Sequence, residues 1–503
     1  MQFPIHRRRF AAFLSAAPIV LSGLPALAQE THTLTVGIVS DPVTLDPALM
    51  ASFFELSIQY NLYEPLVHVT PDLKIEPGLA SVETPDPLTY LFTLRPNLSF
   101  HDATPLDAAA VKANFDRMLD PATGSPRRSE LSSIDTVTVT GPLTFTIKLK
   151  TVYAPLLQVL SNRSGMMVSP SALKALGADF ATKGVGAGPY KLVSWTKNSE
   201  LVLERFPGYW RGPAKIERIV FRPIADETVR LTNLRSATVQ LVDAVPAQNA
   251  TQLGREANLT LKQTPGLGFN AFSFNTAKAP FDDVRVRQAF TTAIDKQAIL
   301  RAVYFGTGSI AQGAIPPTMG WAHDAAFAPY KANAAAARKL LADAGKTAPV
   351  PVSITVTNSP AQVRTAEVLQ AQANQAGFKV DIRQIDATSL ISVLRQKDFD
   401  LCMSPWTGRT DPDGNLYNFF VKAGSNNFMD YRSDKVTALL NSARSTPAQA
   451  ERSKLYREAE AQIANDAPML FLTFPATLQA SVKRLNWQQY PDGALHLQFA
   501  SFQ

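Results

Sequence analysis

At 503 residues the chain is too long for one hydrophobic core, which stops growing near ~250–300 residues, so more than one lobe is expected. It carries 49 Lys and Arg against 42 Asp and Glu; setting aside Arg7, Arg8 and Arg9 of an amino-terminal leader leaves 46 against 42, a net of +4 that is too balanced for a nucleic-acid partner. The single cysteine, Cys402, excludes a disulfide within the chain and sits in the apolar run 399–403, where packing is its expected role.

Residues 1–28 read as an export leader. Three arginines precede an apolar run over 10–24, and Ala26-Leu27-Ala28 supplies a small-residue cleavage site before Gln29. The run is shorter than the ~20 residues a membrane span requires and is broken by Pro18 and Pro25. His6-Arg7-Arg8-Arg9-Phe10 resembles a twin-arginine signal, although Ala11 and Ala12 replace the residues expected after the Phe, so the general secretory and twin-arginine routes both stay open.

The remaining chain reads as α/β. Short apolar strands are predicted at 34–39, 201–204, 219–224, 352–356 and 380–385, between amphipathic helices at 283–294, 334–344 and 364–376. In the stretch 89–118, Tyr90, Phe92 and Leu94 alternate with Thr89, Leu91 and Thr93 as in a strand with a buried face, and Pro96-Asn97 turns the chain. Asp107 then offers an N-cap to a helix whose apolar stripe is Val111, Phe115 and Met118. The Ala-rich run 332–341 is built of strong helix formers, and Gly345 stops it as a C-cap should. No low-complexity linker divides the chain, so the lobes must share their connections.

Six further segments, in order, carry a resemblance to a known family. They are Ser40-Asp41-Pro42-Val43-Thr44-Leu45-Asp46-Pro47; Tyr60-Asn61-Leu62-Tyr63-Glu64-Pro65-Leu66-Val67; Gly186-Ala187-Gly188-Pro189-Tyr190 through Tyr209-Trp210; 281–290; Asp411-Pro412-Asp413; and Asp466-Ala467-Pro468-Met469-Leu470-Phe471. With the stretch 89–118 they make the chain resemble, almost from end to end, the periplasmic solute-binding proteins of peptide and nickel ABC importers, extracellular solute-binding protein family 5. The resemblance implies a large, two-lobed α/β fold of the peptide-binding type, closing on its ligand about a hinge. It implies a first lobe of 29–267 plus 475–503 and a second of 268–474, with crossings near Gly268 and Phe474. It also implies a periplasmic, monomeric protein that hands a small molecule or peptide to the importer's membrane permease, with no cofactor and no metal of its own. Without a Cys at the cleavage site, the lipid-anchored variant is not expected.

Enzymatic readings find no support. G-x-S-x-G, H-E-x-x-H and G-x-x-x-x-G-K-[ST] are absent. Gly266-Leu267-Gly268-Phe269-Asn270-Ala271 fits a dinucleotide fingerprint but leads into the strand-like 272–274, where that site needs a helix. His32, His68, His101, His323 and His496 lack ligand spacing. Asp411-Pro412-Asp413-Gly414-Asn415 begins like a calcium loop, yet Leu416 and Lys422 stand where Gly and Glu are required, so a turn held by side-chain bonds from Asp411 and Asp413 is expected.

The candidate ligand site centres on Trp406-Thr407-Gly408-Arg409. In peptide-binding relatives, the position three after this Trp is commonly an Asp that pairs with the ligand's α-amino group. Arg409 inverts that charge and points to a carboxylate-bearing solute. The competing reading has Arg409 paired with Asp411 or Asp413 on the surface, and Trp406 as core filler. Arg163, seven residues before Pro170, stands where the resemblance implies the carboxylate-binding Arg of nickel-chelate relatives; the competing reading is an ordinary surface arginine. Phe53, Asn270 and Asp411 complete the expected cleft, on the family segments that approach the ligand. The rival to an anionic solute is an ordinary di- or oligopeptide; a periplasmic chaperone or a chemoreceptor partner is the alternative outside transport.

Overall fold

The computed structural model describes residues 33–503 apart from 51, 53 and 54, so the leader 1–28 and Phe53 lie outside the described residues. Three sheets organise the chain. A seven-stranded mixed sheet runs in the order Tyr190–Thr196, Glu200–Arg205, Arg218–Pro223, Thr33–Ile38, Leu241–Val242, Ala476–Val482, Leu259–Pro265. Thr33–Ile38 pairs in parallel with both of its neighbours, Arg218–Pro223 and Leu241–Val242. Leu34, Val36, Ile38, Ile219 and Phe221 fill the core on it, joined late in the chain by Trp487, Leu495 and Leu497.

A four-stranded antiparallel sheet, Ala80–Asp86, Thr89–Leu94, Thr144–Leu149 and Ile134–Gly141, has a separate core that the strand patterns alone did not indicate. Here the alternation of Thr89–Leu94 takes effect: Tyr90, Phe92 and Leu94 are buried, and Phe92 stacks on Phe145 with centroids 4.9 Å apart. Asp107 accepts from the backbone N–H of Ala110 and caps the helix Ala108–Leu119, whose Val111, Phe115 and Met118 enter the same core.

The third sheet has six strands in the order Ser309–Ile310, Met469–Phe474, Asn270–Phe274, Leu401–Met403, Val350–Thr357, Phe378–Ile385. Helices Val284–Ala293, Ala334–Asp343 and Pro360–Gln375 cover it, the second ending where Gly345 adopts φ +69°. Cys402 is buried on the strand Leu401–Met403.

The chain passes from the seven-stranded to the six-stranded sheet between Pro265 and Asn270, and returns between Phe474 and Ala476. These two crossings touch: the N–H of Gly266 donates to the carbonyl of Pro475 at 3.0 Å. A β-carbon on Gly268 would collide with the carbonyl oxygen of Trp406, and one on Gly408, which has φ +85°, with the backbone of Leu267. Glycine at both positions lets the first crossing lie directly against 406–408, where Leu267 bridges Gly408 and Phe269 bridges Trp406.

Candidate ligand site between the sheets

A cavity of about 670 Å³ opens where these elements meet, within the range of small-molecule sites. One wall comes from the segment 127–163, the opposite wall from 406–445, with Leu56, Leu267 and Asp492 at their margins. Trp406, Thr407, Gly408, Arg409, Asp411 and Arg163 all line it.

Asn415 sets the geometry of the second wall. Its Oδ1 accepts from Trp406 Nε1 at 3.0 Å and from the backbone N–H of Arg409 at 3.1 Å, while its amide donates to the carbonyls of Leu267 at 2.8 Å and Ala314 at 3.0 Å. The indole of Trp406 meets Phe419 edge-on at 5.2 Å. The Arg409 guanidinium lies 4.5 Å from the same indole and donates to the carbonyl of Gly408 at 2.8 Å. Gly414 makes room for it, since a β-carbon there would strike the Arg409 side chain.

The surface ion pair considered for Arg409 is not formed. Asp411 is taken by Arg452 at 2.6 Å, with both side chains only 5 % exposed, and Asp413 by Arg444 through Nε at 2.9 Å and Nη2 at 2.7 Å. Asp411 also accepts the N–H of Asp413 at 2.9 Å, the side-chain-to-backbone turn bond expected there, whereas the Asp413 carboxylate goes to Arg444.

Arg163 forms the other side of the charge pattern. It is 4 % exposed and is oriented by Asn162, whose Oδ1 accepts from its backbone N–H at 2.8 Å and its Nε at 3.2 Å. Burial, reinforced by repulsion from Arg127 and Arg409, pulls its pKa from 12.5 to about 10, which leaves it charged at neutral pH. Arg409 is also lowered, first by burial, with Glu130 opposing the shift and Arg127 adding to it. Glu130 pairs with Arg127 at 2.5 Å and accepts from Ser164 Oγ at 2.7 Å. Burial works to raise the Glu130 pKa, but Arg127, Arg409, the Ser164 bond and Arg163 outweigh it, and the carboxyl is held below its usual range. Three guanidiniums therefore surround one carboxylate, and neither Arg163 nor Arg409 has an ion-pair partner of its own among the described residues.

Asn270 does not line the cavity; its amide donates to Thr473 Oγ1 at 3.0 Å across the neighbouring strand of the crossing. Sequence reasoning did not single out Arg127, Glu130, Arg444 or Asp492. Asn415 was legible only as part of a turn, and no local pattern marks the other four.

Residues 74–427 match the family model of bacterial extracellular solute-binding proteins, family 5. The chain belongs to this family. Across 500 residues it is 30 % identical to the glutathione-binding protein GsiB of Salmonella paratyphi A, covering 96 % of each chain. It superposes on the periplasmic binding protein DppA of Helicobacter pylori, solved with the peptide STSA, with a TM-score of 0.82 at 25 % identity, over 93 % of this chain and 98 % of that one. A similar match is AgaA of A. tumefaciens R10 with agropinic acid: TM-score 0.81 and 27 % identity, over 94 % and 99 % of the two chains. As a member of this family the chain is a periplasmic substrate-binding protein of an ABC importer, with a two-lobed fold, and not an enzyme.

Proposed function

We propose that the solute captured here is a small, peptide-like molecule bearing carboxylates, of the chemical class of glutathione. The observation that carries this reading is the pair of cavity-lining guanidiniums, Arg409 and Arg163, that have no ion-pair partner of their own among the described residues while Asp411, Asp413 and Glu130 are already engaged. Guanidinium in a cavity screened from bulk water favours a carboxylate, often through two parallel bonds, and repels an ammonium. Similarity to a glutathione-binding relative over nearly the whole length supports the same class.

In this reading the lobes 29–267 plus 475–503 and 268–474 close on the solute as a monomer, using the two crossings as a hinge. The leader is removed after Ala28, export follows the general secretory or twin-arginine route, and the loaded protein docks on the permease without engaging nucleic acid. Calorimetric titration of the parent, Arg409→Ala and Arg409→Asp with glutathione and a panel of neutral peptides tests the solute class. A charge-assisted bond contributes ~1.5–3 kcal/mol, so Arg409→Ala should weaken glutathione binding by roughly ten- to a hundredfold, and Arg409→Asp by more. Tight binding of amine-intact neutral peptides that survives Arg409→Asp would overturn the carboxylate reading in favour of a di- or oligopeptide.

A further inference from the structure

One carboxylate lining the cavity, Asp492, has no Lys or Arg ion-pair partner among the described residues. Glu130 is held by Arg127, Asp413 by Arg444, and Asp411 by Arg452, with the second oxygen of Asp411 sealed from solvent. Asp492 differs from all three. It stands on a turn beyond the returning strand Ala476–Val482 and the short strand Leu485–Asn486, where the N–H of Gly493 donates to the carbonyl of Tyr490 at 3.0 Å and Gln479 Nε2 fixes the carbonyl of Gly493 at 2.8 Å. Its Oδ1 accepts the N–H of Ala494 at 3.0 Å, and its Oδ2 lies 3.3 Å from His496 Nε2. Its side chain is 14 % exposed and borders the cavity.

The histidine is itself immobilised, its ring 4.0 Å from both Tyr60 and Tyr490. The imidazole offers Asp492 a single contact, from Nε2, and leaves the rest of that carboxylate oxygen to another donor. A carboxylate so enclosed, with no Lys or Arg beside it, would gain from a cation brought by a ligand, because a buried charge without a full counter-charge is costly. The guanidinium side of the site is close by: Asp492 and Arg163 both act electrostatically on the Tyr60 phenol, with opposite signs, and the Tyr60 hydroxyl donates to the carbonyl of Ser161 at 3.3 Å.

We propose that Asp492 is the ammonium subsite of this cavity, pairing with the primary amine of a zwitterionic solute whose carboxylates go to Arg409 and Arg163. The inference rests on the carboxylate reading above and extends it: the unsatisfied charges are those of a ligand with more than one carboxylate and one amine. The amine would thus be recognised from the carboxy-terminal segment of the first lobe, and not from the 406–409 segment, where Arg409 forbids it.

The test is calorimetric titration of the mature parent protein and Asp492→Asn with three probes: glutathione, N-acetylglutathione, whose amine is capped, and glutathione diethyl ester, whose carboxylates are capped. Asn can keep the bonds to Ala494 and His496 while removing the charge, so the melting temperature of the unliganded variant should be no lower than the parent's. The parent should bind N-acetylglutathione at least tenfold more weakly than glutathione. Asp492→Asn should lose tenfold or more for glutathione, little for N-acetylglutathione, and with that its discrimination between them. Equal binding of the two by the parent, full discrimination by Asp492→Asn, or an equal loss for every probe with a lowered melting temperature would overturn the assignment. Tight binding of the diester would instead overturn the carboxylate reading, the acetyl comparison still deciding Asp492. Failure of all three probes to bind would overturn both.

Discussion

The backbone N–H of Ala154 donates to the carbonyl oxygen of Arg444 at 2.9 Å, joining the two walls of the cavity. The Arg444 guanidinium adds to the junction: it grips Asp413, lies 3.1 Å from the centroid of Tyr417 and stands 5.2 Å from that of Tyr153 on the opposite wall. Opening the cavity at this edge would break the Ala154 bond and part Arg444 from Tyr153, so the contact belongs to a closed arrangement. Binding that selects this arrangement should shrink the radius of gyration measured by X-ray scattering. It should also raise the melting temperature with ligand concentration, since a ligand of the native state contributes ~2.7 kcal/mol at a hundredfold excess over Kd. A true ligand that stabilises without compacting the protein would contradict closure.

Trp406 should report the ligand. It lines the cavity, whereas Trp195, Trp210, Trp321 and Trp487 do not. Glutathione should therefore change the tryptophan emission, and Trp406→Phe should abolish most of that change. Because the variant loses the bond from Nε1 to Asn415, its affinity should fall as well, by a fewfold to tenfold for one neutral hydrogen bond. A fluorescence change that persists in Trp406→Phe would place the ligand away from this wall.

Gly268→Ala should separate the crossing from the 406–409 segment, because the added methyl group meets the Trp406 carbonyl, a backbone atom with no room to yield. Overpacking of this kind costs about 1–3 kcal/mol. Denaturant unfolding should show that loss, and ligand affinity should fall with it as Arg409 moves. An unchanged midpoint and affinity would mean that the crossing tolerates displacement and is not a fixed support of the site.

Glu460 gives the protein a pH dependence unrelated to the ligand charges. Burial is the main cause lifting its carboxyl pKa from 4.5 to about 7; acceptance of the N–H groups of Ala314 and Ile315 opposes the shift, and Asp324 adds to it. Between those two values the folded state holds a proton that the unfolded chain releases, so this group's contribution to stability falls as pH rises from 4.5 to about 7 and stays low above that. Glu460→Gln keeps an acceptor oxygen for both N–H groups and removes the charge. It should stabilise the protein at pH 8, by up to about 3 kcal/mol at 1.36 kcal/mol per pKa unit, and by little at pH 4.5. Equal effects at the two pH values, read from thermal melts, would show that Glu460 does not titrate in this window.

The sequence by itself determined the elements and the family. Asp107 caps its helix, Gly345 ends another, and Tyr90, Phe92 and Leu94 face a core because capping, C-terminal glycine and period-two alternation act over a few residues and are readable there. Trp406, Arg409 and Arg163 could be singled out because family segments surround them, but their partners could not. Arg409 lines the cavity without pairing with Asp413 or Asp411 because Arg444 and Arg452, 31 and 41 residues from the carboxylates they hold, reach them first. Asn270 is turned toward Thr473 by the pairing of strands 203 residues apart, and Asp492 reaches the cavity through the chain's late return to the first sheet. Which charge meets which is settled by distance after folding, and distance between remote segments is a property of the tertiary structure alone.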